Sequence, residues 1–287
     1  MVKKTGFELF SEVFCISLKR NADRRQHMKA EFARHEIEFN FVNAYDWDGV
    51  EVNDLIKSEF VIKYPPCFRC GQLNCACENK SLFPPQIGNW LSHMKVWGLI
   101  ADSNDPLTLV CEDDIVFIDS CQKTLEMLNS DVNLQKAIDS KEPLLLRLGW
   151  ALCGDHDYAG VPYLNSEIRM SNPCYAISPS MATLLLSSLN QIDTTSDIYL
   201  HRIIGSKGLS FTVFPPLVHD LSWSTGEFPS EIRPKEKYVA TLRQELEYTN
   251  LKDPRYAELV KEIKHEEDRV SRYAEFNKHP VLDHWKP

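Results

Sequence analysis

The stretch Leu107-Thr-Leu-Val-Cys-Glu112-Asp113-Asp114-Ile-Val-Phe117 sets an apolar run against three consecutive carboxylates and then resumes in apolar residues. Its β-favouring composition predicts a buried strand that ends in an acidic cluster and leaves again through a short apolar exit. Carboxylates this close to a core repel one another, and each is costly to desolvate unless a cation or a partner holds it. A divalent metal with oxygen ligands, carrying a phosphate-bearing substrate on its other side, meets that demand. The alternative is an exposed first turn whose acids cap a helix N-terminus.

Working outward, Val13 to Leu18 is a short β-type run followed at once by the basic loop Lys19-Arg20-Asn-Ala-Asp23-Arg24-Arg25. Met28, Phe32 and Ile37 then recur near helical spacing, and Phe39 to Val42 returns to strand character, a β-α-β opening. A basic loop at the carboxyl end of a first strand is where an α/β sheet binds anionic ligands, although a solvated helix face has the same composition. Trp90, Leu91, Met94, Trp97 and Ile100 mark a packed helix that carries Ser92 and His93. Pro143 to Trp150 reads as another buried strand, with Arg147 near its end. Ser178 followed by Pro179 is an N-cap with proline at the first helical position. Thr194 to Ile204 opens another helix with Asp197 in its first turn, and Phe211 to Asp220 reads as a strand leading to His219.

The chain has 287 residues, 43% of them hydrophobic, a formal charge of −9 and nine cysteines. That length supports one large α/β domain with an appendage. The acidic balance argues against nucleic acid or anionic membrane as a general partner. No run approaches the roughly 18 apolar residues of a membrane span, and the amino terminus lacks a secretory pattern, so a cytoplasmic location is expected. Four thiols, Cys67, Cys70, Cys75 and Cys77, fall within one polar stretch. That spacing suits a closed tetrahedral zinc site that folds a small insertion over residues 60–82; a loop with incidental cysteines is the alternative. From residue 229 the composition turns to Glu, Lys, Arg and Tyr with sparse leucines, predicting a charged helical extension over 229–287 that packs on the domain, pairs two copies or holds a partner.

Three ordered blocks carry a resemblance. Cys15-Ile-Ser17-Leu18-Lys-Arg20-Asn-Ala-Asp23-Arg24-Arg25 with Phe41-Val-Asn-Ala-Tyr-Asp46, then Pro85-Gln-Ile-Gly88-Asn-Trp-Leu-Ser92-His93-Met-Lys-Val-Trp97, then Glu112-Asp113-Asp114, are similar to the family 25 glycosyltransferases, which include lipooligosaccharide and collagen galactosyltransferases. The likeness covers about residues 12–120 and continues more loosely to near 220. It implies a GT-A type, Rossmann-like domain over residues 1–228, with a mainly parallel sheet and flanking helices. It implies an inverting transfer of a hexose, most commonly galactose from UDP-galactose, to a glycan or other hydroxyl acceptor. By that resemblance the donor contacts are Ser17, Leu18, Arg20, Arg24, Arg25, Asp46, Ser92, His93, Glu112, Asp113 and Arg147. Manganese or magnesium falls to Asp114 and Glu112 with His219, and Asp197 is the base that takes the acceptor's proton. The chain departs from the family in the cysteine-rich insertion and in Ser171-Asn-Pro, which stands where the family carries a glycine. Another metal-dependent phosphate enzyme, such as a nucleotidyltransferase, and a non-catalytic binding protein on the same scaffold are the alternatives.

Overall fold

The structure is a computed structural model that describes residues 6–62, 82, 84–150, 161–169, 171–222, 227–228, 230–232, 242–243 and 245–277. Cys67, Cys70, Cys75 and Cys77, and with them the zinc expectation, lie outside the described residues. A short 3-10 turn at Phe7–Leu9 leads into β1 (Glu12–Ser17), α1 (Ala22–Arg34), β2 (Asn40–Asn43), α2 (Val50–Lys57), α3 (Pro84–Ala101) and β3 (Thr108–Glu112). There follow β4 (Ile115–Phe117), α4 (Cys121–Ser130), α5 (Val132–Asp139), β5 (Leu144–Arg147), β6 (Tyr163–Asn165), β7 (Cys174–Ile177) and α6 (Pro179–Ser187). The chain continues through α7 (Ser196–Lys207), β8 (Leu209–Phe214), β9 (Val218–Asp220) and α8 (Pro254–Asn277).

Seven strands form one sheet in the order β2-β1-β3-β7-β5-β8-β6. Neighbours β2, β1 and β3 are parallel, as are β5 and β8, whereas β7 and β6 run against their neighbours. The sheet is therefore mainly parallel, with helices on both faces. Strand periodicity sorts the core in two. Val13, Cys15, Leu109, Cys111, Leu146 and Cys174 point to one side, where they meet Met28, Phe32, Leu125 and Leu134 of the α1, α4 and α5 layer. Phe14, Ile16, Val110, Leu145 and Tyr175 point to the other, against Trp90, Trp97, Met181, Leu185 and Tyr199 of α3, α6 and α7. Strands buried on both faces read as continuous apolar runs, which is why β1, β3 and β5 were legible.

The predicted strand from Phe211 to Asp220 is two elements. β8 ends at Phe214, and Pro215 and Pro216 have no N–H to continue a ladder. β9 then leaves the main sheet and pairs antiparallel with β4, Val116 opposite His219. This second, two-stranded sheet clamps the exit of the acidic stretch: the Leu221 amide donates to the Asp114 carbonyl at 2.6 Å. Leu242, Leu246, Leu259 and Ile263 form an apolar cluster separate from the two that flank the sheet, between α8 and the helical residues before it. The break between them falls at Asp253-Pro254, where the Asp253 carboxylate accepts from the Arg255 amide at 2.9 Å.

Candidate active site

β1 and β3 lie side by side and parallel, so their carboxyl ends and the amino end of α1 open on one cavity of about 120 Å³. All three sequence blocks reach it. Ser17, Leu18, Arg24 and Asp46 come from the first, Ser92 from the second, and Glu112, Asp113 and Asp114 from the third; Asn21, Asn89, Ser222 and Glu231 also line it.

The second block has a steric explanation. A Cβ on Gly88 would stand 2.7 Å from the Tyr45 carbonyl oxygen. Without one, α3 approaches the β2 exit closely enough for the Ser92 hydroxyl to accept from the Tyr45 amide at 2.9 Å while donating to the Gly88 carbonyl at 2.6 Å. Gly88 and Ser92, one helical turn apart, thereby fix the loop that carries Asp46 to the cavity wall. Asp46 in turn holds Arg20, whose guanidinium also meets the Glu231 carboxylate at 2.9 Å. Asn21, at the N-cap of α1, makes no capping bond; its amide donates to Glu231 at 2.9 Å instead. A carboxylate thus sits at the positive end of α1 between Arg20 and Asn21, in a place suited to an anion.

The three acids of the central stretch have three different environments. Asp113 is buried and its oxygens are satisfied within the protein: Oδ1 accepts from Arg24 at 2.7 Å and Oδ2 from the Ser17 hydroxyl at 2.7 Å. Asp114 lies 3.4 Å from the same Arg24 nitrogen. Burial pushes its carboxyl up to about 7, with Arg24 opposing and the Glu112 and Asp113 charges adding to the rise. Burial also works against the Arg24 charge, but Asp114 and Asp113 outweigh it and raise its pKa. One guanidinium therefore serves two buried carboxylates. Glu112 is part-exposed, and its Oε1 receives the Asn89 amide at 3.1 Å and faces His93 Nε2 at 3.5 Å.

The remaining predicted residues lie outside this cavity. Arg25 turns beneath β1, donating to the Ser17 carbonyl at 2.9 Å and the Asn43 side chain at 2.6 Å, with its guanidinium over the Phe41 ring. His93 stands behind Glu112. Arg147 is fully buried in β5 against His201 Nδ1 at 3.0 Å and the Ser210 hydroxyl at 2.6 Å, and burial lowers its pKa to about 10. His219 lies on β9 away from the cavity lining, half-buried, with its pKa lowered by burial. Asp197 accepts from the Ser171 amide at 3.3 Å. It is joined to the cavity through its neighbour: the Ser196 hydroxyl donates to Asn89 Oδ1 at 2.7 Å. Ser171 stands at φ 70°, the left-handed conformation that favours glycine, so the serine keeps the backbone that a glycine would adopt there.

Sequence reasoning missed Asn89, Asn21, Ser222 and Glu231. Asn89 had a signal, since it sits four residues before His93 on one helix face. Glu231 had none, because 211 positions separate it from Arg20.

The sequence pattern of "Glycosyltransferase family 25 (LPS biosynthesis protein)" matches residues 10–200. This chain belongs to glycosyltransferase family 25. The family 25 chain is 32% identical over 124 residues to procollagen galactosyltransferase 2 of Mus musculus, covering 43% of this chain and 19% of that protein. It is 31% identical over 127 residues to procollagen galactosyltransferase 1-B of Xenopus laevis, covering 44% and 20%. Over 134 residues it is 32% identical to the probable inactive glycosyltransferase 25 family member 3 of Rattus norvegicus, covering 47% and 22%. The chain thus spans about a fifth of the length of these relatives. Among the described residues no helix is long and apolar enough to cross a membrane.

Proposed function

We propose that this cavity binds a nucleoside diphosphate sugar, UDP-galactose by preference, and that the chain transfers the hexose with inversion to a hydroxyl of a glycan or other acceptor, on a domain of GT-A type. The observation that carries this reading is the convergence of all three sequence blocks on one cavity, with a cationic helix end on one side and buried acids on the other. The mainly parallel sheet with its reversed β7 between β3 and β5 supports the architecture.

Among the described residues no three His, Cys, Asp or Glu side chains form a ready-made metal cage. The donor set nevertheless fits a hard divalent cation of the kind that takes one or two carboxylates and completes its shell from phosphate oxygens and water. Asp114 is the fitting ligand: burial holds it near protonation, and a cation would replace that proton. Manganese or magnesium bound there would supply Lewis-acid stabilisation for the charge growing on the leaving diphosphate.

The chain's own groups account for the rest. Arg20, Arg24 and the uncapped amides of α1 neutralise the diphosphate, with Glu231 marking the anion position that it would take. Glu112 accepts hydroxyls of the ribose or the sugar. Asp113, bound to Arg24 and Ser17, holds α1 against the strand end. Asp197 takes the acceptor's proton as the acceptor oxygen attacks the anomeric carbon. A binding protein without catalysis is the second reading, favoured by one observation, the relatives described as inactive at similar identity.

Thermal stabilisation by a panel of nucleotide sugars, with and without manganese, tests the first reading. The expected result is a manganese-dependent shift selective for UDP sugars and lost in Asp114→Asn, with Asp197→Asn binding the donor but transferring no sugar. A wild-type protein that binds UDP-galactose and transfers nothing to any acceptor supports the second reading. No shift with any nucleotide sugar sinks both.

A further inference from the structure

Behind Glu112, on the α3 side of the sheet, three buried side chains form a line that the proposed chemistry does not use directly. Trp97 and Tyr175 are each 1% exposed and His93 is 2% exposed. The Trp97 indole nitrogen lies 3.0 Å from the Tyr175 hydroxyl oxygen, and that oxygen lies 2.8 Å from His93 Nδ1. His93 Nε2 faces Glu112 Oε1 at 3.5 Å.

The direction of this line follows from what each group is able to do. An indole N–H only donates, so the Tyr175 oxygen accepts from Trp97. The tyrosine has one hydrogen, and among the described residues His93 Nδ1 is the acceptor within its reach. Nδ1 then offers its lone pair and carries no proton, which leaves the proton of the neutral ring on Nε2, aimed at the carboxylate. The reverse arrangement, with Nδ1 protonated, has two donors on the tyrosine oxygen and strands a buried hydroxyl hydrogen with no partner, the costly alternative. Burial raises the Tyr175 pKa far above its ordinary value, so the hydroxyl keeps its hydrogen.

A second donor to the same carboxylate oxygen is dictated in the same manner. Asn89 Oδ1 accepts from the Ser196 hydroxyl at 2.7 Å, which turns the amide nitrogen toward Glu112 Oε1 at 3.1 Å. Both donors fall on Oε1. Among the described residues no donor reaches Oε2, and Glu112 lines the cavity.

We infer that Trp97 and Tyr175 are positioning residues: they lock His93 in the Nε2–H tautomer, and His93 with Asn89 pins Oε1 of Glu112 so that Oε2 is presented to a sugar hydroxyl of the donor. The register of the sheet supports the arrangement, since Tyr175 lies opposite Val110 on the strand next to β3 and so reaches α3 on the same face. The inference rests on the reading of Glu112 as a donor contact, and the test separates the two.

Long-range proton–nitrogen spectra of protein labelled at histidine nitrogen read the tautomer directly, without activity. The His93 signal is assigned among nine histidines by its loss in His93→Gln. The expected spectrum shows His93 protonated at Nε2 alone, and a mixture of tautomers in both Tyr175→Phe and Trp97→Phe. A His93 protonated at Nδ1, or at both nitrogens, overturns the proposal. Steady-state kinetics of the same variants then read the positioning. Each single variant is expected to raise KM for the nucleotide sugar by about tenfold, and the double variant to cost no more than Tyr175→Phe alone, because the two act in one line. Unchanged KM with a changed tautomer overturns the positioning role. A wild type that carries the Nε2–H tautomer and binds no nucleotide sugar removes the donor reading of the cavity and leaves the hydrogen-bond polarity standing.

Discussion

Ser171 holds a left-handed backbone at φ 70° with its amide bound to Asp197. A side chain in that region costs about 1–2 kcal/mol, of which a glycine returns part through its freer unfolded chain. Ser171→Gly is therefore expected to stabilise the protein by roughly 0.5 kcal/mol in urea unfolding; a loss of stability would show that the serine hydroxyl matters more than the backbone. Gly88 is the opposite case. Its missing Cβ leaves room for the Tyr45 carbonyl, a backbone atom that has little freedom to move aside. Gly88→Ala is expected to cost about 1–3 kcal/mol and to weaken ligand binding in the cavity, because it pushes the Asp46 loop outward. Full stability and binding in that variant would dismiss the close-approach account. At this scale the sequence was legible wherever a side chain's role is local, as with Ser178, which accepts from the Met181 amide at 3.2 Å as the predicted N-cap of α6. It was silent where the role depends on a partner distant in the chain, as with Glu231 and Tyr175.

Among the elements, α1 and the β3–β4 turn are joined through Arg24, and the strength of that joint follows from burial. An exposed ion pair is worth about 0–1 kcal/mol, whereas removing one partner of a buried pair costs roughly 3–5 kcal/mol because a charge is left unpaired. Arg24 and Asp113 side chains are each 9% exposed, so the second figure applies. Arg24→Gln is expected to lose about 3–5 kcal/mol at pH 8, and part of that loss is recovered on acidification as Asp113 and Asp114 take up protons. Equal losses at pH 8 and pH 5, measured by denaturant unfolding, would refute this account. Sequence reading found β1, β2, β3 and β5 by their apolar runs, α1, α3 and α7 by their helical spacing, and α6 by its Ser178-Pro179 start. It passed over α2, α5 and the three-residue β6, whose patterns are too short to carry a period. It also merged β8 with β9, because the apolar run continues through Leu217 and Val218 although the two strands belong to different sheets.

For the whole molecule, Asp114 ties stability to pH. Its folded pKa of about 7 stands above the ordinary 3.8, so between those values the native protein holds a proton that the unfolded chain has released. Its contribution therefore falls as pH rises through that window and is constant above it. His201, lowered to about 4 by burial first and by the Arg147 charge second, has the opposite slope, favouring the native state as pH rises toward 6.5. The comparison of wild type with Asp114→Asn isolates the carboxylate. In chelator, the variant is expected to be more stable than wild type at pH 8 by roughly 1–3 kcal/mol and to lose that advantage by pH 4. A constant difference across pH would exclude Asp114 as the titrating group. The sequence by itself determined the α/β class, the buried strands β1, β3 and β5, the acidic strand end and membership of family 25, because apolar period, caps and short motifs act over a few residues. Only the tertiary structure decided which acid does what. Asp113 is spent on Arg24 and Ser17, Glu112 is held from behind by α3, Asp114 is left short of countercharge, and Arg147 and His219 stand away from the cavity. Those differences arise from burial and from partners on other strands and helices, which residue spacing does not encode.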